Sequence, residues 1–290
     1  MQRLSPHYKK ETSMNPRNFV FLLAVFLGLA LLAPSANATS HYTVNEDDTV
    51  TDTATGLTWK RFAEGQTWDS TWGINTTNAN TYTWDQAVAL TSNFAGHNDW
   101  RLPNIRELQT IVDRTVYSPA IDAAVFPSTD ASYFWSASVN AYNSSHAWYV
   151  HFGNGYAYYD AKGSSFQVRL VRGGQSFGLL DIARPNTDYA NNGDGTVSHT
   201  PTGLMWKRCS EGQTWTGNLC SGSAAAYTWS QVSTLTNSFA GHNDWRVPTE
   251  EELISLVDYT IPQPGPTINT MVFNNTPASG FWSASVYAYD

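Results

Sequence analysis

The eight residues Phe94-Ala95-Gly96-His97-Asn98-Asp99-Trp100-Arg101 recur without a change from Phe239 to Arg246. Four further segments repeat in the same order. Thr55-Gly56-Leu57-Thr58-Trp59-Lys60-Arg61 returns as Thr202 to Arg208 with one substitution, and Glu64 to Trp68 returns as Glu211 to Trp215. Tyr82-Thr83-Trp84 returns as Tyr227-Thr228-Trp229, and Phe134 to Val139 as Phe281 to Val286. The offset stays between 145 and 147. A period this long signifies duplicated domains and not a solenoid of short units. The chain therefore reads as residues 39–172, a polar glycine-rich linker at 173–184, and residues 185–290.

The first 38 residues read as an address. Arg3, Lys9, Lys10 and Arg17 precede an apolar run from Phe19 to Ala33, and Ala36-Asn37-Ala38 offers a small-x-small cleavage site. The run falls short of the roughly 20 residues that span a bilayer as a helix. Segment 1–38 is thus expected to be a signal peptide, starting at Met1 or Met14, and the mature protein to be exported to periplasm, cell surface or medium. Its removal takes four basic and one acidic residue from totals of 16 and 24, leaving 12 against 23 and a net charge of −11. That balance argues against nucleic acid and anionic membranes as partners. Cys209 and Cys220 are the only cysteines. In an oxidising compartment they read as one local disulfide; a two-cysteine metal site is the weaker alternative.

Periodicity predicts an α+β fold. Trp84, Ala87, Leu90 and Phe94 recur at helical spacing, so a helix is expected over 84–94, started by Thr83 and stopped by Gly96. A second helix should follow Pro103. Asn104 with Glu107, and Thr249 with Glu252, have capping-box spacing; Leu108, Ile111 and Val112 match Leu253, Leu256 and Val257 as its buried face. Beyond Phe126 the period drops to two. Trp148, Val150 and Phe152 alternate with Tyr149 and His151, Gly153-Asn154-Gly155 supplies a turn, and 156–160 and 166–172 complete an antiparallel set. Each repeat should thus carry two helices on a twisted antiparallel sheet. Ala288, Tyr289 and Asp290 align with Ala141, Tyr142 and Asn143, so the second repeat has no counterpart of 144–172. It is expected to belong to a longer product or to be completed in trans.

These elements resemble the Lcl C-terminal domain family, named after a collagen-like bacterial surface protein. The resemblance rests on Thr55-Gly56-Leu57-x-Trp59-Lys60, the aromatic segment ending at Phe94, Asp99-Trp100-Arg101-Leu102-Pro103 with Glu107-Leu108, Trp135-Ser136, and the closing Val168-Arg169-Leu170-Val171-Arg172. It implies a distant relation to C-type-lectin-like folds, a group that includes formylglycine-generating enzymes, and an exported or surface-displayed product. The founding member's binding of sulfated polysaccharides is not expected here, since this chain is acidic and has no collagen-like repeat.

Chemistry-bearing residues are few. His97 to Arg101 and His242 to Arg246 admit a metal reading through His and Asp, and a structural one. In the structural reading Asp99, Trp100 and Arg101, with Asp244, Trp245 and Arg246, hold the turn between helix and strand: the Asp and Arg bond backbone, the Trp is core. Oxygen-rich loops at 46–48 and 191–195 lack EF-hand spacing and read as turns. No Gly-x-Ser-x-Gly, His-Glu-x-x-His or phosphate loop is present, and Glu107 with Asp113, or 250–252, read as solvated carboxylates. No cofactor, metal or catalytic residue is expected. The surplus is aromatic, with 12 Trp and 15 Tyr. Tyr156 and Tyr158 share one face of their strand and Tyr159 the other; together with Tyr142 they are the candidate ligand contacts. The expected function is a non-catalytic, adhesin-like module for a glycan or other surface polymer. A structural envelope component acting through protein contacts is the alternative, and an enzyme of the formylglycine-generating kind the third.

Overall fold

The computed structural model describes residues 41–69, 74, 75, 77–174, 181–286 and 288; segment 1–38, expected to be a signal peptide, lies outside them. From residue 40 onward both repeats form one compact unit.

In repeat one, β1 (Tyr42–Val44), β2 (Thr49–Asp52) and β3 (Leu57–Lys60) form an antiparallel meander. Asp52 turns β2 into β3, its carboxylate accepting from Ala54 N (2.9 Å) and Thr55 Oγ1 (2.6 Å). A two-residue ladder joins β4 (Trp68–Asp69) and β5 (Ile74–Asn75). Helices α1 (Trp84–Val88) and α2 (Ile105–Gln109) follow. A second sheet has the order β6 (Tyr133–Val139), β7 (His146–His151), β8 (Tyr156–Ala161). Finally β9 (Val171–Gly173) returns to pair with β3.

The residues just before β9 tie the two sheets together. Gln167 N donates to Tyr133 O (2.9 Å) and Gln167 O accepts from Trp135 N (3.0 Å), while Val168 O and Leu170 O accept from Glu64 N (2.8 Å) and Lys60 N (3.0 Å). Val168, Arg169 and Leu170 are fully buried between them. The even residues Phe134, Val150 and Phe152 join Leu57, Trp59, Leu108 and Phe126 in one core cluster. The odd residues Trp135 and Ala147 join Ala87, Trp100, Val168 and Leu170 in another. Alternation in β6 and β7 thus divides one sheet between two cores.

Repeat two begins with β10 (Tyr189–Asn191), β11 (Thr196–His199) and β12 (Leu204–Lys207) as an antiparallel meander. The pair β13 (Thr214–Trp215) and β14 (Cys220–Ser221), helix α3 (Trp229–Val232), the hairpin β15 (Asn237–Phe239) and β16 (His242–Trp245), and helix α4 (Glu250–Ser255) follow. The architecture is α+β, but made of several small antiparallel sheets with helices of one to two turns. The expected single twisted sheet under two longer helices is corrected accordingly.

The shortened first helix has a local reason. Thr91-Ser92-Asn93 are poor helix formers whose side chains compete for the backbone. Phe94 then pairs with His97 across a turn in which Ala95 and Gly96 have φ of 52° and 73°. This frees the Phe94 ring to reach Trp100, with centroids 5.9 Å apart. The second helix starts where its capping box predicts: Asn104 Oδ1 accepts from Glu107 N (2.9 Å) and Glu107 Oε2 from Asn104 N (2.8 Å). In α4, Thr249 Oγ1 and Glu252 Oε2 do the same at 3.2 and 2.8 Å.

Cys209 and Cys220 are disulfide-bonded. The closed loop is anchored by Cys220 N donating to Asn274 Oδ1 at 2.6 Å. Reduction is expected to cost about 3 kcal/mol in the chain-entropy model, read as a lower melting temperature with reductant. Repeat one has Phe62 in place of Cys209, so its local structure should persist.

The repeats meet along α2. Arg106 donates to Ile254 O (3.1 Å), in the last turn of α4, and to Val257 O just beyond it. Tyr259 lies buried in repeat one's core, its hydroxyl bonded to Gln109 Oε1 at 2.9 Å and its ring edge-on to Trp148 at 5.1 Å. Arg114 Nε pairs with Glu250 at 3.1 Å.

Candidate functional site

The residues common to both repeats have structural tasks. Lys60 bridges Glu64 at 2.6 Å with its ammonium 4.8 Å from the Phe94 ring; Lys207 repeats this with Glu211 and Phe239. Trp100 and Trp245 each donate Nε1 to the carbonyl six residues before them, at 3.0 Å. Trp135 donates to Tyr82 O (2.9 Å) and Trp282 to Tyr227 O (2.8 Å). Trp135 is fully buried beneath the 166–170 segment, whereas Trp282 and Phe281 are about half exposed.

The His97–Arg101 segment corrects the expected roles of its charged members. Trp100 is core, but His97, Asn98 and Asp99 are exposed. Asp99 accepts from the Arg172 side chain at 2.8 Å, a partner far along the chain from the turn. The hydrogen bond from Arg172 holds its carboxyl below the usual range. Arg101 grips the capping-box carboxylate of Glu107 through both terminal nitrogens, at 2.7 and 2.6 Å, and also donates to Gly173 O. Arg246 grips Glu252 alike, at 2.7 and 2.5 Å, while Asp244 is exposed on β16. Glu107→Ala is therefore expected to cost roughly 2–3 kcal/mol, while Asp99→Ala should leave the thermal melt unchanged. An Asp99 variant melting as early as the Glu107 variant would contradict this order.

The oxygen-rich loops engage their carboxylates internally. Asp47 Oδ1 accepts from Thr49 N and Oγ1 at 3.2 and 2.6 Å; Asp194 does the same with Thr196 at 3.0 and 2.6 Å. Among the described residues no group of three or more His, Cys, Asp or Glu side chains is placed to hold a metal ion.

The arrangement most able to contact a ligand lies on the odd face of β6 and β7. Cross-strand register places Tyr133, His151 and Tyr156 in one row and Trp135, Tyr149 and Tyr158 in the next. α1 and Phe166 cover the Trp135 end. The remainder is a continuous aromatic surface. Tyr133 stacks on His151 with centroids 4.5 Å apart and meets Tyr149 edge-on at 5.4 Å. Tyr149 lies 6.0 Å from Tyr158, Tyr158 lies 6.3 Å from Tyr156, and Phe166 sits 5.0 Å from Tyr133 and 4.9 Å from Tyr149. Tyr133 and Tyr158 are 41% and 44% exposed, enough for a flat partner to lie on both. Burial, assisted by the charge of Asp160 and by Tyr133 and Tyr158, pushes the Tyr149 phenol up to about 12, so it remains a neutral donor at any physiological pH.

The four tyrosines singled out by sequence separate. Tyr156 and Tyr158 belong to the aromatic face. Tyr159 lies on the opposite face, edge-on to Trp148 at 5.3 Å and bonded to Gln263 of repeat two at 3.3 Å. Tyr142 is exposed beside the same seam, near Gln263 and Tyr259. Tyr133, Tyr149, His151 and Phe166 are not among the sequence candidates. The alternation around Tyr149 and His151 signalled their shared face, but the pairing of β6 with β7 that adds Tyr133 has no local signal.

The family model of the Lcl C-terminal domain matches residues 48–172 and again 195–290. The chain belongs to that family, in two tandem copies. No curated protein matches it.

Proposed function

We propose that this member of the Lcl C-terminal domain family is an exported, non-catalytic binding module that recognises a glycan or other uncharged surface polymer. The observation carrying this reading is the uncovered aromatic face of Tyr133, Tyr149, His151, Tyr156 and Tyr158. Tyrosine rings present apolar area for sugar C–H faces and hydroxyls for sugar oxygens, with little rotamer entropy to lose. The net charge of −11 after removal of 1–38, and Asp160 beside Tyr149, disfavour sulfated or otherwise anionic polymers. Export is supported by the basic-apolar leader and by the disulfide. The return of β9 to β3, closing the end of repeat one onto its first sheet, supports a distant C-type-lectin-like relation.

The test is binding of the intact chain to a panel of neutral and sulfated polysaccharides at rising salt. Neutral polymers should be retained with little salt dependence, since few charges are neutralised. Heparin-like binding that collapses with salt would overturn the reading. A stable protein partner without glycan binding would instead favour a structural envelope role.

A further inference from the structure

Repeat two copies the walls of repeat one's core around an open groove. In repeat one those walls enclose the segment before β9, whose Val168, Arg169, Leu170 and Val171 are fully buried. In repeat two the groove measures about 2410 Å³, well beyond the roughly 300–1,000 Å³ of a small-molecule pocket. Leu204, Trp206, Val232, Trp245 and Trp282 line it, and they align with Leu57, Trp59, Ala87, Trp100 and Trp135. All five of the latter are buried in repeat one, whereas Trp282 is 53% exposed.

The groove keeps the shape that holds the strand. Arg208 donates Nε to Val272 O at 2.9 Å, as Arg61 does to Val125 O at 3.2 Å. Thr276 Oγ1 donates to Phe273 O at 2.7 Å, as Thr129 Oγ1 does to Phe126 O at 2.8 Å. Ala284 N reaches Pro248 O at 2.8 Å, as Ala137 N reaches Pro103 O at 2.7 Å. An arginine site is kept with it. Arg169 is held by Lys60 O, Arg61 O and Thr129 Oγ1 beside the Phe126 ring. Lys207, Arg208, Thr276 and Phe273 stand at those positions, and all four line the groove. Phe166 packs on Trp135 with centroids 4.4 Å apart, and the half-exposed Trp282 offers the same surface. Gly280 replaces Tyr133, so the aromatic face of repeat one has no copy here and the groove calls for a different ligand.

We propose that this groove is a docking site for a β-strand of a separate polypeptide. The strand carries an aromatic residue, an aliphatic one, arginine and two more aliphatics in the register of Phe166, Val168, Arg169, Leu170 and Val171. A strand added to a sheet edge gains affinity from main-chain hydrogen bonds and specificity from alternate side-chain pockets. In repeat one Lys60 N, Glu64 N and Trp135 N donate to this segment; Lys207, Glu211 and Trp282 are their counterparts. A second copy of the chain is not the donor. The pattern occurs once, at 166–171, and giving it up would open the donor's own core.

The experiment titrates the full chain into a fluorescently labelled peptide of residues 164–173 and maps the complex by backbone amide shifts. Binding should saturate at one peptide per chain, with shifts at Lys207, Glu211, Thr276 and Trp282 and none at Tyr133 or Tyr158. Arg169→Ala in the peptide should weaken binding roughly 10–100-fold, the loss expected of charge-assisted hydrogen bonds. Thr276→Val in the chain should weaken the parent peptide and leave the alanine peptide unchanged. If that variant does not fold, the two peptides against the wild-type chain decide. Absence of binding, or equal affinity of the two peptides, overturns the proposal. So do shifts confined to repeat one, where the peptide would be exchanging with the chain's own strand. A stable dimer that excludes the peptide overturns it as well, and gives the groove to a second copy.

Discussion

Replacing Arg169 by alanine is expected to cost repeat one on the order of 3–5 kcal/mol, among the largest effects of any single change. The guanidinium is fully buried and donates to Lys60 O (3.0 Å), Arg61 O and Thr129 Oγ1 (2.7 Å). It also lies 5.0 Å from the Phe126 ring. Burial pulls its pKa down to about 9, so it remains a cation at neutral pH. Alanine would leave two carbonyls and a hydroxyl unsatisfied around a cavity in the segment that ties both sheets together. At roughly 2–4 °C per kcal/mol for a chain of this size, the melt should fall by about 10 °C. Arg169→Met keeps most of the volume and should lose less. Equal melts for both variants would show that the hydrogen bonds, not packing, fix this segment.

The second large effect concerns binding. Tyr133→Ala combined with Tyr158→Ala removes the two most exposed rings of the aromatic face, and affinity for a neutral polysaccharide should drop by about 100-fold or more. Both side chains are more than 40% exposed, so the melt should change little. Tyr159→Ala and Tyr142→Ala, at the seam, should leave affinity within about threefold, since removing a residue outside the contact costs little. Equal losses from the seam pair would move the site to the boundary between the repeats.

Local signals in the sequence transferred well to the structure. The Asn104–Glu107 and Thr249–Glu252 spacings started both second helices where expected, because a capping box is settled within four residues. Of the tryptophans at periodic positions, Trp59, Trp100 and Trp135 are core, whereas Trp84 is only partly buried. Chain-distant features were not legible. Phe166 reaches Tyr133 across 33 residues, and Arg106 reaches Val257 across 151. The sequence points Asp99 and Arg101 to their own turn because neighbouring polar residues usually serve their own loop. Their actual partners, Arg172 and Glu107, are visible only once β9 and α2 are in place. The stop at Val88 arose because Phe94 is held by Trp100 and not by a continuing helix.

The measurement that bears most directly on the binding face is backbone amide chemical-shift mapping of the intact chain, with and without a neutral oligosaccharide that it retains. Perturbations should concentrate in β6, β7 and β8 at Tyr133, Tyr149, His151, Tyr156 and Tyr158, and be absent from α4 and β11. Shifts confined to Tyr142, Tyr159 and the repeat-two side of the seam, with the aromatic face silent, would contradict the assignment.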